Sequence, residues 1–319
     1  EFTLINAWFE SVSGYTTTGS TILTDVEALP KSLLFWRSST HFIGGLGVVV
    51  FLLLVMPTAS PYRLKLTNME MSTLSKGGYR YNSSKVIRII TGVYLSFAIV
   101  IFFSLWAAGM TLFDAVNHAF SLAATGGFST RNLSVGYYQS DLLHLIVIFY
   151  MAVCALHFGL IYSTFMRKAN NIFRSEITRF YFTIIAASSV VITFSLWFAD
   201  VYPTILISLR NALFHTASFI TTTGFATADC NTWTSSAILI LIFCSIVCSC
   251  AGSTSGGLKV DRLLLSIKML RNRIRSQQHP NAVIRTKIDG VPQDKEMVGT
   301  VSVYIVAFMM MILLGTFIN

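Results

Sequence analysis

Three windows of this 319-residue chain carry matching side chains at matching spacing. Ala7 to Thr21 aligns without a gap on Ala115 to Ser129 and on Ala212 to Ala226. Ala7, Ala115 and Ala212 coincide, and Glu10 stands where the other two windows have His118 and His215. Each window contains an uncharged triplet ending in glycine: Thr17-Thr18-Gly19, Thr125-Gly126-Gly127 and Thr222-Thr223-Gly224. Main-chain carbonyls and threonine hydroxyls gathered around one axis can replace the hydration shell of a monovalent cation. Glycine permits the backbone angles that turn such carbonyls inward. A single Thr-Thr-Thr-Gly is an ordinary turn. Three gapless copies, each after a half-length apolar segment, point instead to a shared cation site.

Full carboxylates, which suit divalent ions, are absent from the triplets, so potassium is the expected passenger and sodium the alternative. A second unusual stretch, Ala251-Gly252-Ser253-Thr254-Ser255-Gly256-Gly257, runs through Leu258 to Lys259. Its glycines and hydroxyls weaken helix. Placed within the membrane below the cation site, this stretch is expected to obstruct the path and to move, a gate made of Gly252 to Gly257 with Lys259. It superficially resembles a phosphate loop but lacks the Gly-Lys-Ser/Thr ending and a preceding strand; the plainer alternative is a kinked helix.

The histidines His41, His118, His144, His157 and His215 fall in different repeats with no metal-ligand spacing, and His118 and His215 read as hydrogen-bonding residues behind their half-helices. Gly44, Gly45 and Gly47 read as a close helix contact. The five cysteines show no paired spacing, so neither a disulfide framework nor a zinc site is expected. They read as small buried packing residues.

The elements that would hold these triplets are legible in the composition. Charged residues make up 12% of the chain and hydrophobic ones 54%, against about 25% charge in soluble proteins. Mean hydropathy is +0.65. Membrane helices are expected at 33–57, 86–109, 141–165, 181–200, 233–251 and 298–318, with shorter segments at 112–124 and 205–220 that enter and leave on one side. A net charge of +9 would suggest nucleic-acid binding in a soluble protein. Here 19 of the 23 Lys and Arg lie in 58–88, 166–180 and 259–296, which places those loops in the cytoplasm by the positive-inside rule. The basic run from Lys259 to Arg275 also suits anionic lipid.

The repeat period is roughly 100 residues. The unit is helix, half-helix, glycine-centred loop, helix, and successive units share one orientation, which implies rotation about the membrane normal rather than inverted repeats. The division is 1–57 for repeat 1, which lacks its opening helix, 58–165 for repeat 2, and 166–275 for repeat 3 with the loop 251–257. Residues 276–319 hold a cytoplasmic loop and the opening helix of an incomplete repeat 4. The chain opens at Glu1 within a motif, so it reads as the middle of a longer protein.

Gly14 to Thr21, Ala124 to Thr130, Thr221 to Phe225 and Ala251 to Val260 together resemble the TrkH/KtrB superfamily of potassium uptake proteins, and within it the TrkH branch. The resemblance covers essentially the whole chain. It implies an all-α polytopic membrane protein whose helix–pore-loop–helix units form a pseudo-fourfold, potassium-channel-like pore in a bacterial inner membrane, with no cofactor. Gly19, Gly127 and Gly224 would be three of four filter glycines, and 251–257 the gating loop. It further implies a homodimer on a cytoplasmic ring of nucleotide-binding regulatory subunits of the TrkA kind. The chain departs from the family pattern in lacking the fourth filter loop, the helix after it and the helices before the first loop. Alternatives are a sodium/potassium symporter, a less selective monovalent cation channel, a structural subunit of an ATP-driven pump, and an intramembrane enzyme. The enzyme reading requires convergent acid, base or metal partners, and Asp114, Asp200 and Asp229 lie at interfaces instead.

Overall fold

Three half-length helices punctuate the chain: α1 (Leu4–Tyr15), α4 (Leu112–Ala123) and α8 (Ile205–Ile220). A computed structural model describes residues 3–55, 83–166, 172–279, 285–293 and 295–318. Longer helices are α2 (Lys31–Val55), α3 (Ser83–Ala107), α7 (Glu176–Phe198) and α11 (Lys295–Ile318). The remaining helices are α5 (Asp141–Cys154), α6 (Phe158–Phe165), α9 (Ser235–Val247) and α10 (Val260–Gln278). A small antiparallel hairpin pairs β1 (Lys287–Ile288) with β2 (Val291–Pro292).

Each half-helix begins at a threonine whose side chain accepts a backbone N–H of the first turn: Thr3 from Asn6, Thr111 from Asp114 and Thr204 from Ile207. Packing then repeats with the chain. Half-helix α4 lies against α2, α3 and α5, and half-helix α8 lies against α5, α7 and α9. Each of the two thus rests on the helix that closes the preceding unit. The core runs through this seam, with Leu122, Leu143, Phe214 and Ile220 fully enclosed. Tyr94 and Tyr181 are buried there too, their hydroxyls donating to the Phe42 and Ala152 carbonyls. The outer helices keep large apolar side chains exposed, among them Phe103 on α3, Val191 on α7 and Met311 on α11. That is a liability in water and ordinary against lipid.

Among the described residues Arg88–Ala107, Glu176–Phe198 and Gly299–Phe317 are long and apolar enough to cross a membrane. The half-helix ends match the expected 112–124 and 205–220 closely. Two long helices differ from expectation. The segment 141–165 is broken, its halves α5 and α6 meeting at 99°. The reason is tertiary: the Phe158 N–H donates to the Gly252 carbonyl (3.1 Å), and the Ala155 carbonyl accepts the Cys250 N–H (3.3 Å). The segment 233–251 shortens to the helix ending at Val247, because Cys248 takes a left-handed φ of 57°. The basic stretch after Lys259 begins as helix α10, while most of 58–88 lies outside the described residues.

Candidate functional site

Every half-helix ends in the same way. The Thr17, Thr125 and Thr222 N–H groups donate to Gly14, Leu122 and Phe219 carbonyls, each at 3.1 Å. The next residues, Thr18, Gly126 and Thr223, donate to Ser13, Ser121 and Ser218 at 3.0, 2.9 and 3.0 Å. These paired bonds form a Schellman closure, whose turning residue is most often glycine. Here it is threonine: φ is 55° at Thr17, 52° at Thr125 and 56° at Thr222. A β-branched residue in that region stores roughly 1–3 kcal/mol. Two residues on, Gly19, Gly127 and Gly224 have φ of 77°, 89° and 77°. The three triplets therefore share one backbone course.

They also meet. A β-carbon at Gly19 would collide with the Gly126 carbonyl oxygen, and one at Gly127 with the Thr223 carbonyl oxygen. The first loop therefore seats on the second as the second seats on the third. The corresponding place at Gly224 has no described atom within 4 Å. A cavity of about 530 Å³ lies on this side, bounded by Thr18, Thr222, Gly224 and His215.

The second loop has Gly126 where the others have threonine, and the neighbouring helix explains why. A β-carbon there would strike the His41 ring. That imidazole stacks on Phe128 (4.0 Å between centroids) and reaches the Ser121 hydroxyl at 3.2 Å.

The stretch Gly252 to Lys259 is directly joined to the loops. The Gly256 N–H donates to the Thr222 hydroxyl (3.0 Å). The Thr125 and Thr254 hydroxyls are 3.2 Å apart, and Thr254 donates to the Ala123 carbonyl (3.3 Å). Ser253 and Ser255 bond each other at 2.9 Å, and the Lys259 ammonium donates to the Ser255 carbonyl. Buried Asp261 accepts the Ala251 N–H at 2.9 Å. Gly257 packs against Cys248 so closely that a β-carbon would overlap its sulfur. The expected loop and gate residues are thus brought together at two of the three strained threonines.

Sequence reasoning missed several supports. Ser13 and Ser218 donate to the Ser20 and Phe225 carbonyls at 2.6 and 2.7 Å, pinning the chain as it leaves two of the loops. Their identical offset in the windows was the available signal. Buried Arg37 pairs with buried Glu10 at 2.6 Å, a contact between elements that no spacing announces. Asp114 accepts from Thr111, Thr130, Tyr138 and Arg131 at 3.0, 2.6, 2.7 and 2.9 Å. Burial, with that carboxylate beside it, pushes the Tyr138 phenol above its ordinary range, so it stays a donor. Among the described residues no three His, Cys, Asp or Glu side chains cluster as metal ligands.

The family model described as "TrkH: Cation transport protein" matches residues 1–319. The Trk system potassium uptake protein TrkH of Halomonas elongata is 33% identical over 315 residues, covering 96% of this chain and 65% of its own length. The TrkH protein of Salmonella typhimurium is 33% identical over 288 residues, covering 90% of this chain and 60% of itself. The crystal structure of the potassium transporter TrkH from Vibrio parahaemolyticus superposes with a TM-score of 0.84 at 30% identity, over 97% of this chain and 63% of that one. The chain therefore spans 60 to 65% of the length of these relatives. With a helical fold shared over nearly its whole length and a family match from end to end, this chain belongs to the TrkH family of cation transport proteins, which are transporters and not enzymes.

Proposed function

We propose that this chain forms most of a potassium uptake pore in a bacterial inner membrane, with its basic loops on the cytoplasmic side. The observation that carries the reading is the seating of Gly19 on the Gly126 carbonyl and of Gly127 on the Thr223 carbonyl, with matching left-handed angles in all three loops. That arrangement supports a selectivity filter built from Thr17, Thr18, Gly19, Thr125, Gly126, Gly127, Thr222, Thr223 and Gly224, whose oxygens take over potassium's hydration shell. The cavity beside Gly224 suits a fourth loop, giving the pseudo-fourfold arrangement of repeated units proposed from the sequence. Family membership alone supports the homodimer and the cytoplasmic regulatory ring of the TrkA kind.

Gly252, Ser253, Thr254, Ser255, Gly256, Gly257 and Lys259 form the gate in this reading. Their hydrogen bonds to Thr222 and to the Thr125 hydroxyl support an obstruction held against the inner end of the filter.

Ion flux into vesicles holding the full-length protein tests the filter. Gly127→Ser and Gly224→Ser should each lower the preference for potassium over sodium by about tenfold, the factor that 1.4 kcal/mol represents. Parental selectivity in both variants overturns the assignment. The same vesicles separate uniport from sodium/potassium symport: potassium entry that stops when external sodium is removed would favour the symporter.

A further inference from the structure

One place on the half-helices carries a buried polar side chain in every copy, seven positions before the strained threonine. It is Glu10 in α1, His118 in α4 and His215 in α8, exposed by 7%, 1% and 1%. Burying such a group among apolar helices is costly unless its hydrogen bonds are met, so each must have a partner. In every case the partners lie on the chain leaving the loop, eleven to thirteen residues further on. Glu10 accepts from the Thr21 hydroxyl at 2.8 Å and from the Ile22 N–H at 3.4 Å. His118 Nε2 meets the Ser129 hydroxyl at 3.0 Å. His215 Nε2 accepts the Thr227 and Ala228 N–H groups at 3.4 and 3.3 Å.

The second partner of each group settles its chemical form. His118 Nδ1 lies 2.8 Å from the Asp114 carbonyl, which can only accept. The proton therefore sits on Nδ1; burial favours the neutral ring, and the Ser129 hydroxyl, which already accepts the Arg131 N–H at 3.0 Å, keeps its own proton for Nε2. His215 Nε2 faces two backbone donors, so its proton also sits on Nδ1, pointing at the Cys230 sulfur 3.0 Å away. Both imidazoles are held neutral, as acceptors at Nε2. Glu10 does the same job with a carboxylate, which needs a counter-charge, and Arg37 supplies it at 2.6 Å. Arg37 in turn lies over the Phe128 ring, 4.1 Å from its centroid, reaching the chain that leaves the second loop.

We infer that Glu10, His118 and His215 are three copies of one positioning strut, tying each half-helix to the chain segment beyond its loop and so setting the spacing of the loop's carbonyl oxygens. The strut touches no ion. It acts through the triplet, which is anchored at one end by the Schellman closure and at the other by this acceptor. The inference rests on the filter reading above, and a loop freed at its outer end would widen toward an ion of another size.

The test uses the full-length protein in vesicles, reading sodium and potassium flux separately. His118→Leu keeps the bulk and removes the acceptor; Ser129→Ala removes the donor by deleting a single oxygen; His118→Gln returns an oxygen near the place of Nε2. His118→Leu and Ser129→Ala should each raise the sodium-to-potassium flux ratio about fivefold, equal to about 1 kcal/mol, the net value of one hydrogen bond. His118→Gln should stay near the parent. If His118→Leu yields no folded protein, Ser129→Ala carries the test alone. Parental ratios in His118→Leu and Ser129→Ala, beside a relaxed Gly127→Ser, overturn the strut and leave the filter standing. Parental selectivity in both Gly127→Ser and Gly224→Ser overturns both.

Discussion

Thr17, Thr125 and Thr222 hold an angle that a β-branched side chain resists, and the three copies hold it within a few degrees of each other. Strain of this kind is relieved when the β-carbon is removed. Thr17→Gly should therefore stabilise the purified protein by about 1 kcal/mol, read as a raised thermal midpoint. Thr125→Gly should gain less, because Thr125 also meets Thr254, and it should raise resting ion flux. A lower midpoint for Thr17→Gly would show that the threonine is not strained. At this scale the sequence was a good guide wherever one residue type was demanded by the backbone. Gly19 and Gly127 stand out because no β-carbon fits against the neighbouring carbonyl. Gly126 also stood out as a departure, but its cause, the His41 ring from another helix, has no signature in the residues around either position.

The break between α5 and α6 shows the limit of reading an element from its own residues. Ala155, Leu156 and His157 include no glycine, proline or hydroxyl, so an apolar run from 141 to 165 looks like one helix. What bends it is a competing set of backbone partners at Cys250 and Gly252. The interruption at Gly252 to Gly257 was legible because its glycines and hydroxyls weaken helix locally; the broken helix it leans on was not, because its bend comes from outside. Phe158 is the first residue of α6, where proline is tolerated. Phe158→Pro and Phe158→Ala both lose the ring, yet only proline loses the N–H bonded to Gly252. Resting potassium flux should be higher in Phe158→Pro than in Phe158→Ala; equal fluxes would mean that this bond does not hold the loop. Deleting 252–257 should raise basal conductance further in an electrical recording, and no rise would remove the gating role.

Across the whole molecule, the orientation proposed from the charge pattern is open to labelling. With Cys230 replaced by serine, the other four cysteines are buried. A membrane-impermeant thiol reagent should then label Leu133→Cys in intact cells, and Arg273→Cys only after the membrane is opened. The reverse pattern would invert the topology. The recurrence of the unit was legible from the aligned windows, and the packing of α4 on α2 repeats in α8 on α5. How the loops would touch was not, since carbonyl against glycine is a relation between segments about 100 residues apart. That relation has a direction: Gly19 waits for an oxygen at 126, and Gly127 for one at 223. The polypeptide emerges from the ribosome in the same order, so each seat is finished only when its successor is inserted. A nascent chain therefore holds each glycine turn unseated until the unit that supplies its carbonyl has followed it.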